Sequence, residues 1–69
     1  EMTKDSNGNT LEDGDNVIVI KDLKVKGSST GLKRGTKLKN IRLTNNSAEI
    51  ESGSGKSCVV VKTQFIKKS

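Results

Sequence analysis

The chain has 69 residues with a net charge of +5; 29% are apolar, Phe65 is the one aromatic residue, and there is one Cys and no His. A single cysteine precludes an internal disulfide or a four-ligand zinc site, and absence of His removes the usual general base, so composition argues against a self-sufficient enzyme. With no apolar run of about 18 residues and no charged-then-apolar leader, the chain reads as one cytoplasmic domain, residues 1–69, with no membrane segment.

Asp5-Ser6-Asn7-Gly8-Asn9 predicts a first turn, because Asn-Gly supplies the positive φ of a tight loop. Leu11 is the first core anchor, and Asp13-Gly14-Asp15 a second turn. Val17-Ile18-Val19-Ile20 is short and wholly β-branched, which predicts a strand. Leu23-Lys24-Val25-Lys26 alternates apolar with charged, the pattern of a half-buried strand. Residues 27–31 read as a loop, followed by a turn at Lys33-Arg34-Gly35.

Residues 36–43 form the next predicted strand, with a bulge near Lys39-Asn40 restoring the inward face for Ile41 and Leu43. Asn45-Asn46 makes a turn, Ala48-Glu49-Ile50-Glu51 returns with Ala48 and Ile50 on one face, and residues 52–55 form a Ser/Gly tip. In the last predicted strand Val59 and Val61 face inward while Cys58 and Val60 face out. A tight turn over residues 63–66 then drops Phe65 onto the core. The expected core is Leu11, Val17, Val19, Leu23, Val25, Leu38, Ile41, Val59, Val61 and Phe65. Gly14, Gly27 and Gly35 are assigned to backbone roles in turns. Five short antiparallel strands with frequent turns predict an all-β fold, a small barrel or strongly bent sheet.

Charge is uneven along the chain. Residues 1–15 carry five acids against one base, residues 21–42 eight bases against Asp22 alone, and residues 43–69 four bases against two acids. Clustered Lys and Arg are the footprint of a polyanion binder, which makes Lys24, Lys26, Lys33, Arg34, Lys37, Lys39 and Arg42 the candidate contact residues. The competing reading is that Lys-rich strands keep sheet edges soluble. Single-strand binders usually add aromatic platforms, and Phe65 is committed to the core, so any nucleic-acid contact would rest on backbone electrostatics.

Other motifs dissolve on inspection. Gly55-Lys56-Ser57 lacks the upstream Gly and the following helix of a phosphate-binding loop. Residues 5–16 begin like a calcium loop, but Thr10 stands where Gly is required and Asn16 where a bidentate Glu is required. Cys58 has no histidine to activate it and reads as a small strand filler. Asp13/Asp15 and Glu49/Glu51 read as solvated pairs, with the first bracing the Gly14 turn. The residues call for neither metal nor cofactor.

The ordered run Asp5-Ser6-Asn7-Gly8-Asn9 through Asp13-Gly14-Asp15, then "IKDLKVKGSS", "GTKLKNIRL" and a Gln64-Phe65-Ile66-Lys67-Lys68 end, closely resembles the C-terminal domain of the bacterial PhnA-like proteins, named for an alkylphosphonate-utilisation operon. The resemblance covers essentially the whole chain. It implies an SH3-like small barrel. It also brings a link to phosphonate metabolism, and for some members a phosphonoacetate hydrolase label, that these residues do not support. The zinc ribbon with paired cysteines that typical members carry ahead of this domain has no counterpart here. Residues and resemblance together describe a non-catalytic binding module for nucleic acid or another polyanion. The alternatives are a protein-interaction barrel and a role in phosphonate uptake or metabolism. The oligomeric state stays open.

Overall fold

A computed structural model of the chain describes residues 2–24, 31–53, 55 and 58–69. The β-branched run forms β1 (Val17–Val19). It is followed by β2 (Lys37–Leu38), β3 (Arg42–Leu43), β4 (Glu49–Ser52), β5 (Val59–Lys62) and β6 (Ile66–Lys68), with a 3-10 turn at Thr63–Phe65 between the last two. These build two three-stranded antiparallel sheets, ordered β2-β1-β6 and β3-β4-β5. The molecule is all-β, and no α-helix occurs among the described residues.

Alternation along the strands sorts side chains into core and surface. Val17 and Val19 are fully buried on either side of half-buried Ile18, and Val61 is buried beside exposed Val60 and Lys62. The core joins Leu11, Val17, Val19, Leu38, Ile41, Ile50, Val61 and Ile66, with Leu23, Leu32, Val59 and Phe65 packed against it. The inward placement of Val59 and Val61, the outward placement of Cys58 and Val60, and the tight turn bearing Phe65 all agree with the sequence pattern. Gly14 and Gly35 hold φ of 94° and 89°, as their turns require. Val25 and Gly27 lie outside the described residues.

Five expectations are corrected. The strand over residues 36–43 is two strands, because the anticipated bulge is a corner at which the chain leaves one sheet for the other. There Asn40 adopts φ 52°, its N–H donates to Asn16 Oδ1 at 3.2 Å, and Ile41 exchanges backbone bonds with Asp15 and Gly14. Ile41 is thereby buried, whereas Leu43 is 37% exposed, because β3 is an outer strand and Leu43 ends it. Ala48 is exposed although Ile50 is buried, since it lies in the turn before β4.

The predicted strand around Leu23 is, in its described part, one bridge to Leu32, closed by two backbone bonds of 2.7 and 2.8 Å. Finally, β6 lies beyond the last predicted strand. It pairs with β1 through Val17↔Lys68, Ile18↔Lys67 and Val19↔Ile66, and it buries Ile66 completely.

Candidate functional site

The basic residues are spread over both sheets and the segments that join their strands. In β2-β1-β6 the register aligns Lys37 with Ile18 and Ile18 with Lys67. Cross-strand partners share a face, so the three side chains form one row on the face opposite the buried Val17 and Val19. Two strand spacings separate the outer members, placing the lysine Cα atoms about 10 Å apart. Lys37, Lys39 and Lys67 are exposed, and none joins an ion pair among the described residues. Lys67 was not among the residues the basic stretch singled out. Only its pairing partner reveals it.

The other candidates go elsewhere. Lys24 and Lys33 are exposed next to the two ends of the Leu23–Leu32 bridge. Arg34 is exposed, and its backbone N–H donates to Asp22 Oδ1 at 2.8 Å. Lys26 lies outside the described residues. Arg42 belongs to the second sheet, where its cross-strand partner is Glu51. Its Nε donates to Glu51 Oε1 at 3.0 Å, and Nη2 donates to the Gly53 carbonyl and lies 3.7 Å from Cys58 Sγ. The hydrogen bond to Glu51 pushes the guanidinium pKa above its usual value. This charge is engaged within its own sheet and stands apart from the lysine row. Lys68 is engaged as well, 3.5 Å from Asp15 Oδ2 and donating to the Thr10 carbonyl.

Asp5 is the titratable group with the most built environment. It is 6% exposed, and Oδ1 accepts the N–H groups of Asn7 (2.9 Å) and Asn9 (2.8 Å). Oδ2 accepts Asn9 Nδ2 at 3.3 Å and the Lys68 N–H at 2.6 Å. Burial pushes its pKa up, but the bonds from Lys68, Asn9 and Asn7 outweigh this and hold it below the ordinary carboxylate value. A carboxylate whose oxygens are all engaged by backbone donors is an anchor, not a proton carrier. The local bonds were legible in the Asp-Ser-Asn-Gly-Asn turn chemistry. The bond to Lys68, 63 residues away, was not.

Asp15 does brace the Gly14 turn, accepting the Glu12 N–H at 2.9 Å. Asp13 instead reaches across the molecule to accept the Leu43 N–H at 2.7 Å. Among the described residues no three His, Cys, Asp or Glu side chains gather as a metal site. No helix of the described chain is long and apolar enough to cross a membrane. Two surface grooves stand out among the described residues. One, of about 500 Å³, runs between Met2, Thr10, Leu43 and Thr44. The other, of about 280 Å³, lies between Leu23, Leu32, Val60 and Phe65.

The PhnA domain model matches residues 3–69. The chain belongs to the PhnA-domain family. Among curated relatives, Protein YjdM homolog of Haemophilus influenzae is 53% identical over 68 residues, covering 99% of this chain and 53% of the relative. Protein YjdM of Escherichia coli K12 is 52% identical over 69 residues, covering 99% and 62% respectively. Protein YjdM of Streptococcus mutans is 48% identical over 65 residues, covering 93% and 59%. The chain therefore spans a little over half the length of the curated relatives it matches. The resemblance noted in the sequence is thus a family membership, and the PhnA domain is the frame on which the lysine row and the Asp5 anchor sit.

Proposed function

We propose that this PhnA domain is a non-catalytic binding module that holds a polyanion, the phosphate backbone of a nucleic acid, against the outer face of β2-β1-β6. The observation that carries this reading is the Lys37–Ile18–Lys67 row, two lysines aligned by strand register and free of ion pairs among the described residues. Lys39 lies next to the row in sequence, and Lys33 and Arg34 add exposed positive charge. Phe65, the one aromatic side chain, is packed against the core, which leaves no platform for base stacking. Recognition then rests on phosphate charge, independent of base sequence and steeply dependent on salt.

The test is an amide-shift titration of the labelled domain with short single-stranded RNA and DNA at low and moderate salt. Shifts should map to Ile18, Lys37, Lys39 and Lys67. With about three phosphate contacts on a single strand, log affinity should fall with log salt at a slope of about −2. Charge reversal of Lys37 and Lys39 together should abolish binding. A silent titration, or binding that survives the reversal, removes the reading and leaves the lysines a role in solubility. The alkylphosphonate association of the family name is examined in the same experiment with methylphosphonate as probe. Shifts from it at the same lysines, without any from nucleic acid, would make the ligand a small phosphonate.

A further inference from the structure

β5 is an outer strand of its sheet, and no described residue pairs with its free side. The Thr63 N–H donates to the Ala48 carbonyl at 2.9 Å. Ladder bonds alternate in antiparallel pairs, so Val61/Ile50 and Val59/Ser52 exchange the bonds that bind β5 to β4. The backbone groups of Val60 and Lys62 consequently point away from β4. The Lys62 carbonyl opens the i→i+3 bonding of the 3-10 turn, which leaves the Val60 N–H and C=O and the Lys62 N–H along this edge without a partner among the described residues. Val60 itself is 51% exposed.

Beside this edge lies the groove of about 280 Å³. Leu23, Leu32 and Phe65 present apolar surface there, and Lys24 and Lys62 stand at its margin with Glu49. The Lys21 ammonium lies 5.5 Å from the centre of the Phe65 ring. Two lysines thus line the groove against one carboxylate, with Lys21 close by over Phe65, and Glu49 lies directly opposite Lys62 in the strand register.

A strand edge that no described residue pairs, an apolar groove beside it and two lysines against one carboxylate in its lining are the elements of recognition by strand addition. We propose that this groove takes an extended segment of a partner protein that alternates apolar and acidic residues, added as a strand to β5. Its backbone bonds to Val60 and Lys62, its apolar side chains enter between Leu23, Leu32 and Phe65, and its carboxylates meet Lys21, Lys24 and Lys62. The site is on the other sheet from the lysine row and stands or falls independently of it.

The test uses the labelled chain and two capped octapeptides, one alternating Leu and Glu, the other alternating Leu and Lys. The acidic peptide should shift the Val60 and Lys62 amides and slow exchange of the Val60 amide by at least about tenfold at saturation, while the basic peptide leaves both unchanged. Lys24→Glu with Lys62→Glu should weaken the acidic peptide about tenfold, and Lys24→Gln alone about threefold. Absence of shifts at residues 60–62, or equal binding of both peptides, overturns the proposal. Protection of Val60 that grows with protein concentration in the absence of peptide also overturns it, since the occupant would then be a second copy of the chain.

Discussion

Replacing Asp5 with alanine removes a side-chain acceptor that ties the first turn to the last strand, and leaves the Ser6 N–H bond to the Ile66 carbonyl to hold the two together. Its carboxylate receives three backbone N–H groups and one side-chain amide. Bonds to a charged acceptor contribute about 1.5–3 kcal/mol each when desolvated, but Asn7 and Asn9 lie on an exposed turn and regain water. Counting the Lys68 bond nearly in full and the others at a discount gives a loss of about 3–4 kcal/mol. A chain of this size has roughly 3.5–10 kcal/mol in total, so the variant should sit close to unfolding. The corresponding fall in melting temperature is on the order of 20 °C. Asp5→Asn should cost nearly as much, because its NH2 group must face either Lys68 or the two turn amides, donor against donor.

Urea unfolding followed by far-ultraviolet circular dichroism measures both variants. Their pH dependence adds a sign. Asp5 is held below its ordinary value of 3.8, so its contribution is complete above that value and is lost as pH falls through the lower folded-state value. The gap between wild type and Asp5→Asn should therefore be widest near neutrality and should close below about pH 4. If both variants stay within about 0.5 kcal/mol of wild type, or the gap widens in acid, the anchoring argument is wrong.

Two further substitutions probe the frame. Ile66→Ala empties a fully buried site in β6 and should cost about 2–5 kcal/mol in the same unfolding assay; a loss under about 1 kcal/mol would mean that β6 frays from β1 in solution. At Gly31 a Cβ would overlap the Leu23 carbonyl oxygen, which is backbone and cannot swing away. Gly31→Ala should therefore destabilise by about 1–3 kcal/mol and shift the Leu23 and Leu32 amides, and an unchanged spectrum would show that the bridge is not a fixed contact.

Much of this domain was legible one segment at a time. The β-branched run of β1, the parity of Val59 to Val61 and the turn before Ile66 depend on propensities and periods that act within a few residues. The corner at Lys39-Asn40 was visible as a slip in alternation between Leu38 and Ile41. That it carries the chain from one sheet into the other was not, since a slip in period says nothing about which partner comes next. Asp5 looked like a turn residue because the turn chemistry is local, and its bond to Lys68 is the longest-range contact it makes.

The candidate surface divides in the same way. The excess of positive charge over residues 21–42 is a property of the sequence and survives any fold. Which charges lie together was decided by register: β1 places Lys37 and Lys67 in one row although thirty positions separate them, while Arg42, only five positions from Lys37, is drawn to Glu51 in the other sheet. Composition and pattern determine what each stretch can become, because they set local backbone preference and the side that must be buried. Pairing between distant strands depends on closing the intervening chain around a shared core. Only the assembled structure could settle which of the described lysines line up in one row and which basic side chains are drawn to a carboxylate.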